Sequence, residues 1–247
     1  LHDALPIWGL RLRPALDLLA QVGDLPPGDI VDLGCGDGAA AAALAARFAG
    51  RALIGVDNSA AMLAKAVGYS DLQQADIAHW QPQSAALIFS NAALHWLPDH
   101  ASLLPRLARG LAAGGTLAVQ MPRQFMAPSH RFLRDIAASM FPARFDFTQY
   151  TPPVARAEEY HALLSPLGQA EMWETDYIQR LAPVAGMHPV RAFTASTAMR
   201  PIAEKLSPSE LASFCTAYDA SLSAAYPLQP DGAALFPFKR VFFTLKV

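Results

Sequence analysis

The chain has 247 residues, 53% hydrophobic and 16% charged, a composition typical of a folded domain with an apolar core. Its 19 basic and 21 acidic residues nearly cancel, so no global positive field favours nucleic acid or an anionic membrane. No apolar run reaches the roughly 18 residues of a spanning helix, and two cysteines are too few for a disulfide scaffold or a metal cluster. We therefore expect a cytoplasmic monomer without a metal site.

Strand and helix patterns alternate five times through the first half of the chain. Residues 1–8 lack the basic region and cleavage site of a signal peptide, so none is expected there. The first helix is predicted at residues 13–22, with Leu12, Leu16, Leu19 and Ala20 on its apolar face and Pro14 near its first turn. Further helices are predicted at residues 39–48, 60–67 and 103–111, and strands at residues 30–33, 52–56, 72–75, 85–90 and 116–121. This alternation predicts a parallel sheet with helices on both faces.

The second half of the chain has a different pattern. Residues 122–167 are rich in proline and aromatics, which predicts irregular structure. Residues 171–178 and 238–247 are predicted strands, and residues 184–226 contain helical stretches with a capping box at Ser207 and Glu210. We expect a single domain, with a core of about residues 12–121, 169–180 and 236–247. A helical cap is expected at about residues 122–168 and 184–235.

A glycine-rich loop, DLGCGDG at residues 32–38, joins the first predicted strand to the helix after it. Ligands bind at this edge of a parallel sheet, and glycines let the backbone approach them closely. Gly34, Gly36 and Ala39 satisfy the nicotinamide dinucleotide fingerprint, in which helix amides bind a pyrophosphate. The loop also has the D-x-G-x-G-x-G pattern of S-adenosylmethionine sites, where Asp32 would lie near the cofactor's ammonium group. Asp57 ends the second strand, where it can accept both ribose hydroxyls of either cofactor.

The segments after the third and fourth strands favour S-adenosylmethionine over a nicotinamide cofactor. Asp76 and Ile77 suit adenine, whose exocyclic amine needs an acceptor and whose face needs an apolar cover. Asn91 and the small Ala92 and Ala93 follow the fourth strand and leave room for a sulfonium and its methyl group. Trp96, next in this segment, is expected to pack at the start of a helix.

The motifs DLGCGDG, GVDNSAAML, ADIAHW, FSNAALHWLPD and LAAGGTLAVQMP occur in an order and spacing that resemble the class I S-adenosylmethionine-dependent methyltransferases. The later segments QMPRQFMAPSH, WETDY and AMRP resemble the trans-aconitate 2-methyltransferase family, a similarity that covers nearly the whole chain. The resemblance implies an α/β fold: a Rossmann-like, seven-stranded, mostly parallel sheet with helices on both faces and a helical insertion that covers the substrate. It implies S-adenosyl-L-methionine as the cofactor, bound by Asp32, Gly34, Cys35, Gly36, Gly38, Asp57, Asn58, Met62, Asp76, Ile77, Asn91, Ala92 and Ala93.

The same resemblance implies a small-molecule carboxylate as the partner, trans-aconitate above all. A carboxylate is already ionised at neutral pH, so methyl transfer to it requires positioning rather than a general base. His95 and Arg200 are candidates for positioning, and His130, Trp173, Tyr177 and Arg200 for substrate binding. Lys239 and Arg240 are weaker candidates on a strand expected to lie at a sheet edge. Because they are adjacent in that strand, they point to opposite faces.

Three alternatives remain at this point. A methyltransferase of the same chemistry could act on a malonyl group carried by a protein. A nicotinamide-dependent oxidoreductase would use the glycine loop for a pyrophosphate. A module without catalytic activity would bind the cofactor and form no S-adenosylhomocysteine.

Overall fold

The computed structural model describes the backbone of residues 5–247 and the side chains from residue 12 onward. Residues 1–4, part of the segment considered above for a signal peptide, lie outside the described residues. In the described part of the chain, every helix is too short or too polar to span a bilayer.

One seven-stranded sheet forms the framework of the fold. Its strands are β1 (Ile30–Leu33), β2 (Leu53–Asp57), β3 (Asp71–Gln74), β4 (Ala85–Asn91), β5 (Leu111–Pro122), β6 (Gln169–Leu181) and β7 (Ala234–Lys246). Their order across the sheet is β3-β2-β1-β4-β5-β7-β6. Strands β1 to β5 run parallel and β7 runs antiparallel to β5. The strand order reverses between β1 and β4, and ligands bind at such switch points.

Burial on both faces explains why the central strands are continuous apolar runs. All four residues of β1 and the first six of β4 are buried, as expected where helices cover a parallel sheet on both sides. The strands predicted from sequence match the observed ones within a few residues at most ends.

The helices are α1 (Leu5–Ala20), α2 (Ala41–Arg47), α3 (Ala60–Leu63), α4 (His100–Arg109), α5 (Pro128–Met140), α6 (Ala157–Leu164), α7 (Pro189–Ala195), α8 (Arg200–Ala203) and α9 (Pro208–Ala225). The capping box predicted at the start of α9 is present: the Ser207 hydroxyl accepts from the Glu210 amide, and the Glu210 carboxylate accepts from the Ser207 amide. Helix α1 starts before Pro14, which lies inside it rather than in its first turn.

Two predictions about helices were wrong. Helix α1 buries Ala15, Leu18 and Leu19, while Leu16 is 43% exposed, so the predicted apolar face is rotated. The segment 122–167 contains α5 and α6 rather than irregular structure. Helix α5 buries Leu133 and Ala137 at a spacing of four, a helical period that the surrounding prolines and aromatics obscure in the sequence.

The chain divides into two compact units. Unit 1 comprises Leu1–Pro122, Pro153–Thr175 and Arg240–Val247, and unit 2 comprises Arg123–Pro152 and Asp176–Lys239. Residues 153–168 lie in unit 1, and the division into core and cap that the sequence suggests stays a prediction. Unit 2 has its own apolar core, in which the buried Tyr218 hydroxyl donates to the Ser129 carbonyl at 2.6 Å.

Candidate functional site

The glycine loop after β1 folds tightly in a conformation that needs glycine. Gly34, Gly36 and Gly38 have φ angles of +80°, +57° and +88°, in the left-handed region that favours glycine. A Cβ added to Gly34 would lie 2.1 Å from the Cβ of Ala93. The glycine loop therefore packs directly against Ala93, so the predicted cofactor segments after β1 and β4 lie side by side in unit 1.

Asp57 links the glycine loop to the loop that follows β2. Its Oδ2 accepts a hydrogen bond from the Gly36 amide, and its Oδ1 accepts one from the Ser59 amide, each at 2.9 Å. Ser59 in turn caps α3, as the sequence predicts. Each carboxylate oxygen has a further lone pair, so Asp57 can hold both loops and still accept from a hydroxyl group.

Asp32 is a buried carboxylate at the carboxyl end of β1. Its pKa rises from 3.8 to about 6, chiefly because burial disfavours the ion; a hydrogen bond from Tyr69 opposes this rise, and the charge of Asp57 adds to it. The Tyr69 hydroxyl donates to Asp32 Oδ2 at 2.7 Å. Burial and the nearby carboxylates also raise the pKa of the Cys35 thiol to about 12, which keeps that side chain neutral. A bound cation would offset the cost of ionising Asp32.

The loop after β3 contributes Asp76 and Ile77. Ile77 Cδ1 lies 3.4 Å from the position of an added Gly34 Cβ, so its side chain borders the glycine loop. Asp76 is exposed, and its Oδ1 accepts from the Ala78 amide at 2.9 Å. Arg106 from α4 donates to the carbonyls of Ile77, Ala78 and Trp80, which fixes the course of this loop.

The end of β4 carries backbone strain. Ala92 has a φ of +54°, an uncommon conformation for a residue with a Cβ. Its amide donates to the Gln120 carbonyl at 2.9 Å, which ties the turn to β5. Ser90, buried just before it, donates to the Leu33 carbonyl at 2.7 Å and joins the ends of β4 and β1. Asn91 Oδ1 is buried and has no hydrogen-bond partner among the described residues.

His95 follows in a short 3-10 helix, Leu94–Trp96. Burial and, to a lesser degree, the charges of Arg240 and His100 lower the pKa of His95 to about 4, so its imidazole is neutral at pH 7. Its Nδ1 has no partner within the described part of the chain. Trp96 does not pack as expected, since it is 78% exposed; its ring lies 4.6 Å from the His95 ring between centroids.

The remaining predicted cofactor residues lie on the same loops. Met62 lies over the glycine loop, with its Cε 3.5 Å from the position of an added Gly36 Cβ. Asn58 is exposed and follows Asp57 directly, and its carbonyl accepts from Gln74 at 3.3 Å. All thirteen residues predicted to bind the cofactor thus belong to unit 1 and lie at the carboxyl ends of β1 to β4 or in the segments that follow them.

The predicted substrate residues are divided between the units. Trp173 belongs to unit 1, where its ring stacks on Phe242 with centroids 5.0 Å apart. His130, Tyr177 and Arg200 belong to unit 2. His130 Nδ1 lies 3.0 Å from Ser129 Oγ, and burial and the charge of Arg134 lower its pKa to about 4.

Tyr177 and Arg200 differ sharply in exposure within unit 2. Tyr177 is buried in β6, whereas the Arg200 side chain is 70% exposed and pairs with Glu204 at 2.7 Å. Neither observation assigns a role to these side chains, and their contact with a substrate stays a prediction.

Lys239 and Arg240 do not lie on an edge strand, because β7 runs between β5 and β6. Lys239 Nζ lies 3.9 Å from Asp176 Oδ1 in unit 2. The buried Arg240 in unit 1 donates through Nη1 to Gln120 Oε1 at 2.6 Å. The two side chains have different surroundings, as expected for neighbours in a strand.

Sequence reasoning missed three residues that shape this edge of the sheet: Tyr69, Arg106 and Gln120. Tyr69 lies in an irregular turn with no motif, and its ring fits beside Gly38 and Gly55, where added Cβ atoms would approach it at 3.1 and 3.0 Å. A glycine inside β2 is the one signal that points to a close neighbour there. Arg106 and Gln120 carry no pattern of their own.

The arrangement fits a ligand that combines a cation, a sugar and a base. The buried Asp32 needs a positive partner, the glycines of the loop let the backbone approach a ligand closely, and Asp57 and Asp76 provide further acceptors. Helix α2 has seven residues and starts at Ala41, three residues after Gly38, and the Gly36 amide is occupied by Asp57, so the loop is poorly arranged for a pyrophosphate. Among the described residues, no group of three or more His, Cys, Asp and Glu side chains could hold a metal ion.

Comparison with known proteins agrees with this interpretation. The family described as "Methyltransferase domain" matches residues 31–119. The trans-aconitate 2-methyltransferase of Methylobacterium nodulans is 42% identical, over 96% of this chain and 93% of its own. The enzyme of the same name from Azoarcus sp. is 40% identical, over 94% of this chain and 92% of its own. The crystal structure of the YcgJ protein from Bacillus subtilis shares the fold, with a TM-score of 0.58, 15% identity and coverage of 95% of this chain and 98% of that one.

Proposed function

Because the chain belongs to the trans-aconitate 2-methyltransferase family, we propose that it transfers the methyl group of S-adenosylmethionine to a carboxylate oxygen of trans-aconitate. The family relationship decides between the two interpretations of the glycine loop in favour of S-adenosylmethionine. The structural observation that carries the proposal is Asp32, a buried carboxylate beside a loop with three left-handed glycines.

Each loop at the carboxyl ends of the strands has a part in binding the cofactor. Asp32 binds the ammonium group, since a positive partner stabilises its ionised form. Asp57 accepts from the ribose hydroxyls while it holds the glycine loop through the Gly36 amide. Asp76 accepts from the adenine amine, and Ile77 covers the face of the base beside Gly34.

The chain needs to orient its acceptor rather than to activate it. When bound, the cofactor supplies a methyl group made electrophilic by a sulfonium. The carboxyl groups of a polycarboxylic acid have pKa values near ~4 and are ionised at neutral pH, so no side chain has to remove a proton. His95, neutral because its pKa is near 4, positions the acceptor by hydrogen bonding and takes up no proton. The loops around it replace water with fixed dipoles.

The acceptor contacts proposed for His130, Trp173, Tyr177 and Arg200 rest on resemblance and are tested by substitution. Arg200→Ala is expected to raise the KM for the acceptor and to leave cofactor affinity unchanged. Glu204→Ala is the matched control: it removes the partner of Arg200 at 2.7 Å but leaves the guanidinium in place. A fall in cofactor affinity in Arg200→Ala would contradict this assignment.

A turnover assay tests the whole proposal. The purified chain is incubated with S-adenosylmethionine and, separately, trans-aconitate, citrate, isocitrate and a malonyl thioester, and S-adenosylhomocysteine and the methyl ester are measured by mass spectrometry. We expect a methyl ester of trans-aconitate at a kcat/KM well above that for the other acceptors. Turnover with the malonyl thioester alone would favour the carrier-protein alternative. Binding of the cofactor without turnover of any acid would favour a module without catalytic activity.

A further inference from the structure

A row of side chains crosses one face of the sheet within unit 1. The register pairs Asn91 of β4 with Gln120 of β5, and Gln120 with Phe242 of β7. Paired residues share a face of a sheet, and Arg240, two residues before Phe242, points to that face as well. Trp173 of β6 continues the row, because its ring stacks on Phe242 at an interplanar angle of 10°. One end of the row is polar and the other is aromatic.

The polar end is buried and holds a cation. Gln120 is fully buried and Arg240 is 8% exposed, and the Arg240 guanidinium donates to Gln120 Oε1 at 2.6 Å. This bond fixes the carboxamide with its oxygen towards Arg240, so that its NH₂ group is directed elsewhere. Gln120 Nε2 is buried without a hydrogen-bond partner in the described part of the chain, and so are Asn91 Oδ1 and His95 Nδ1.

Two of these atoms, Gln120 Nε2 and His95 Nδ1, belong to side chains that interact with the Arg240 guanidinium, and such unpaired atoms are unusual for a site without a ligand. A buried donor or acceptor left unpaired costs about 1–3 kcal/mol, and most buried polar groups in proteins are paired. Gln120 Nε2 can only donate, His95 Nδ1 donates in one of its two neutral tautomers, and Arg240 carries a positive charge, so a group that pairs with these side chains has anionic acceptor oxygens; Asn91 Oδ1 is an acceptor and is not part of this group. A carboxylate meets both requirements, because guanidinium and amide donors match its two oxygens.

We propose that Gln120, Arg240 and His95 form a subsite that binds a carboxylate of the acceptor other than the one methylated, while Phe242 and Trp173 cover the acceptor's carbon chain. This inference rests on the proposed function, since it deepens the same site. It makes Gln120 and Arg240 determinants of specificity for polycarboxylic acids. A monocarboxylic acid gains nothing from this subsite.

Gln120→Glu tests the subsite with minimal change of shape. The new carboxylate lies beside Arg240 and takes the place of the ligand's charge, so the affinity for trans-aconitate is expected to fall about 10- to 100-fold. Affinity is measured by calorimetry in the presence of S-adenosylhomocysteine, and KM and kcat by turnover. The kcat/KM for crotonate, which has one carboxylate, is expected to change less than about threefold. The affinity for S-adenosylhomocysteine itself is expected to stay at the wild-type value.

Two further variants test whether a loss of trans-aconitate binding is specific to the proposed subsite. Gln169→Glu makes the same exchange at an exposed position of β6 and is expected to match the wild type. Arg240→Lys keeps the charge but loses the planar fork, and is expected to bind trans-aconitate with an affinity between those of the wild type and Gln120→Glu. Thermal unfolding of each variant verifies that it is folded.

The outcomes separate this inference from the proposed function. If the wild-type protein turns over trans-aconitate and folded Gln120→Glu has the same KM, the subsite is refuted and the proposed function stands. Equal losses for trans-aconitate and crotonate, or a loss of cofactor affinity, also overturn the subsite. Binding of trans-aconitate that is sensitive to Gln120→Glu but leads to no turnover supports the subsite and refutes the proposed function. A wild-type chain that does not bind trans-aconitate refutes both.

Discussion

Cofactor binding is expected to depend on pH through Asp32. In the free protein the pKa of this carboxyl is about 6, raised from 3.8 by burial. Below pH 6 the carboxyl is mostly protonated, and binding of the cofactor's ammonium group requires loss of that proton. The affinity is therefore expected to fall about tenfold per pH unit below pH 6. The cofactor's own amino group stays charged up to about pH 7.7, so pH 5–7 isolates the carboxyl.

The same shift makes Asp32 less favourable to the free folded protein as the pH rises. The folded state holds the Asp32 proton more tightly than the unfolded state, so the contribution of Asp32 to the unfolding free energy is fully present below the unfolded pKa of 3.8 and is lost as the pH rises through about 6. The folded and unfolded pKa values of Asp32 differ by about two units, which corresponds to roughly 3 kcal/mol of unfolding free energy. A bound cation offsets this cost, so the cofactor is expected to stabilise the chain more at pH 7 than at pH 5.

Calorimetry with S-adenosylhomocysteine at pH 5, 6 and 7 measures the first effect. In buffers of different ionisation enthalpy, binding at pH 5–6 is expected to release up to one proton. Asp32→Asn should abolish both the release and the pH dependence. Tyr69→Phe removes the bond that holds the carboxylate ionised, so the pKa should rise above 6 by about one unit, and the affinity should fall about tenfold at pH 5 but only about twofold at pH 7.

Tyr150→Phe is the matched control, because that ring packs over Arg134 in unit 2. It is expected to bind S-adenosylhomocysteine as the wild type does at every pH. A wild-type affinity that is flat from pH 5 to 7, without proton release, would refute the reasoning, because it would mean that Asp32 does not face the ammonium group.

Three further outcomes are expected from the geometry of single residues. Gly34→Ala should abolish cofactor binding and lower the unfolding free energy more than Gly50→Ala. Both glycines have φ +80°, so both variants share a left-handed cost of about 1–2 kcal/mol, but of the two only an alanine at 34 would place its Cβ within 4 Å of another atom. Equal losses of stability in urea unfolding would contradict this. Ser207→Ala should lower the unfolding free energy by about 1 kcal/mol, because it removes the cap of α9. Ser213→Ala in the same helix should change the unfolding free energy by less than about 0.5 kcal/mol, and the reverse order would refute the role of the cap. Cys35 should react with iodoacetamide at pH 8 more than tenfold faster in urea than in the native protein, because burial raises the pKa of its thiol to about 12. The two rates are measured by mass spectrometry, and similar rates would show that the thiol is not buried.

The sequence predicted the edge of the sheet better than it predicted the contacts made there. Apolar runs followed by Asp32, Asp57, Asp76 and Asn91 were enough to place these residues together, because parallel strands all end at one edge. The contact of Tyr69 with Asp32 could not be predicted, because Tyr69 lies in a turn without a sequence motif and meets Asp32 only through the pairing of β1 with β2.

Long-range pairing also explains the predictions that were wrong. The β-branched, aromatic pattern near the end of the chain predicted a strand but not its neighbours, so Arg240 was expected at an edge when it lies between β5 and β6. Helix α5 was missed because its polar residues outnumber its buried ones, and only packing within unit 2 shows which face is apolar. Register and packing partners depend on the whole fold, whereas local patterns report single elements.

The contact between Gly34 and Ala93 ties together two positions that are far apart along the chain. Gly34 cannot enlarge while alanine stands at position 93, because an added Cβ would lie 2.1 Å from the Ala93 Cβ. In related chains position 34 should therefore stay glycine wherever the residue at position 93 carries a Cβ in the same place.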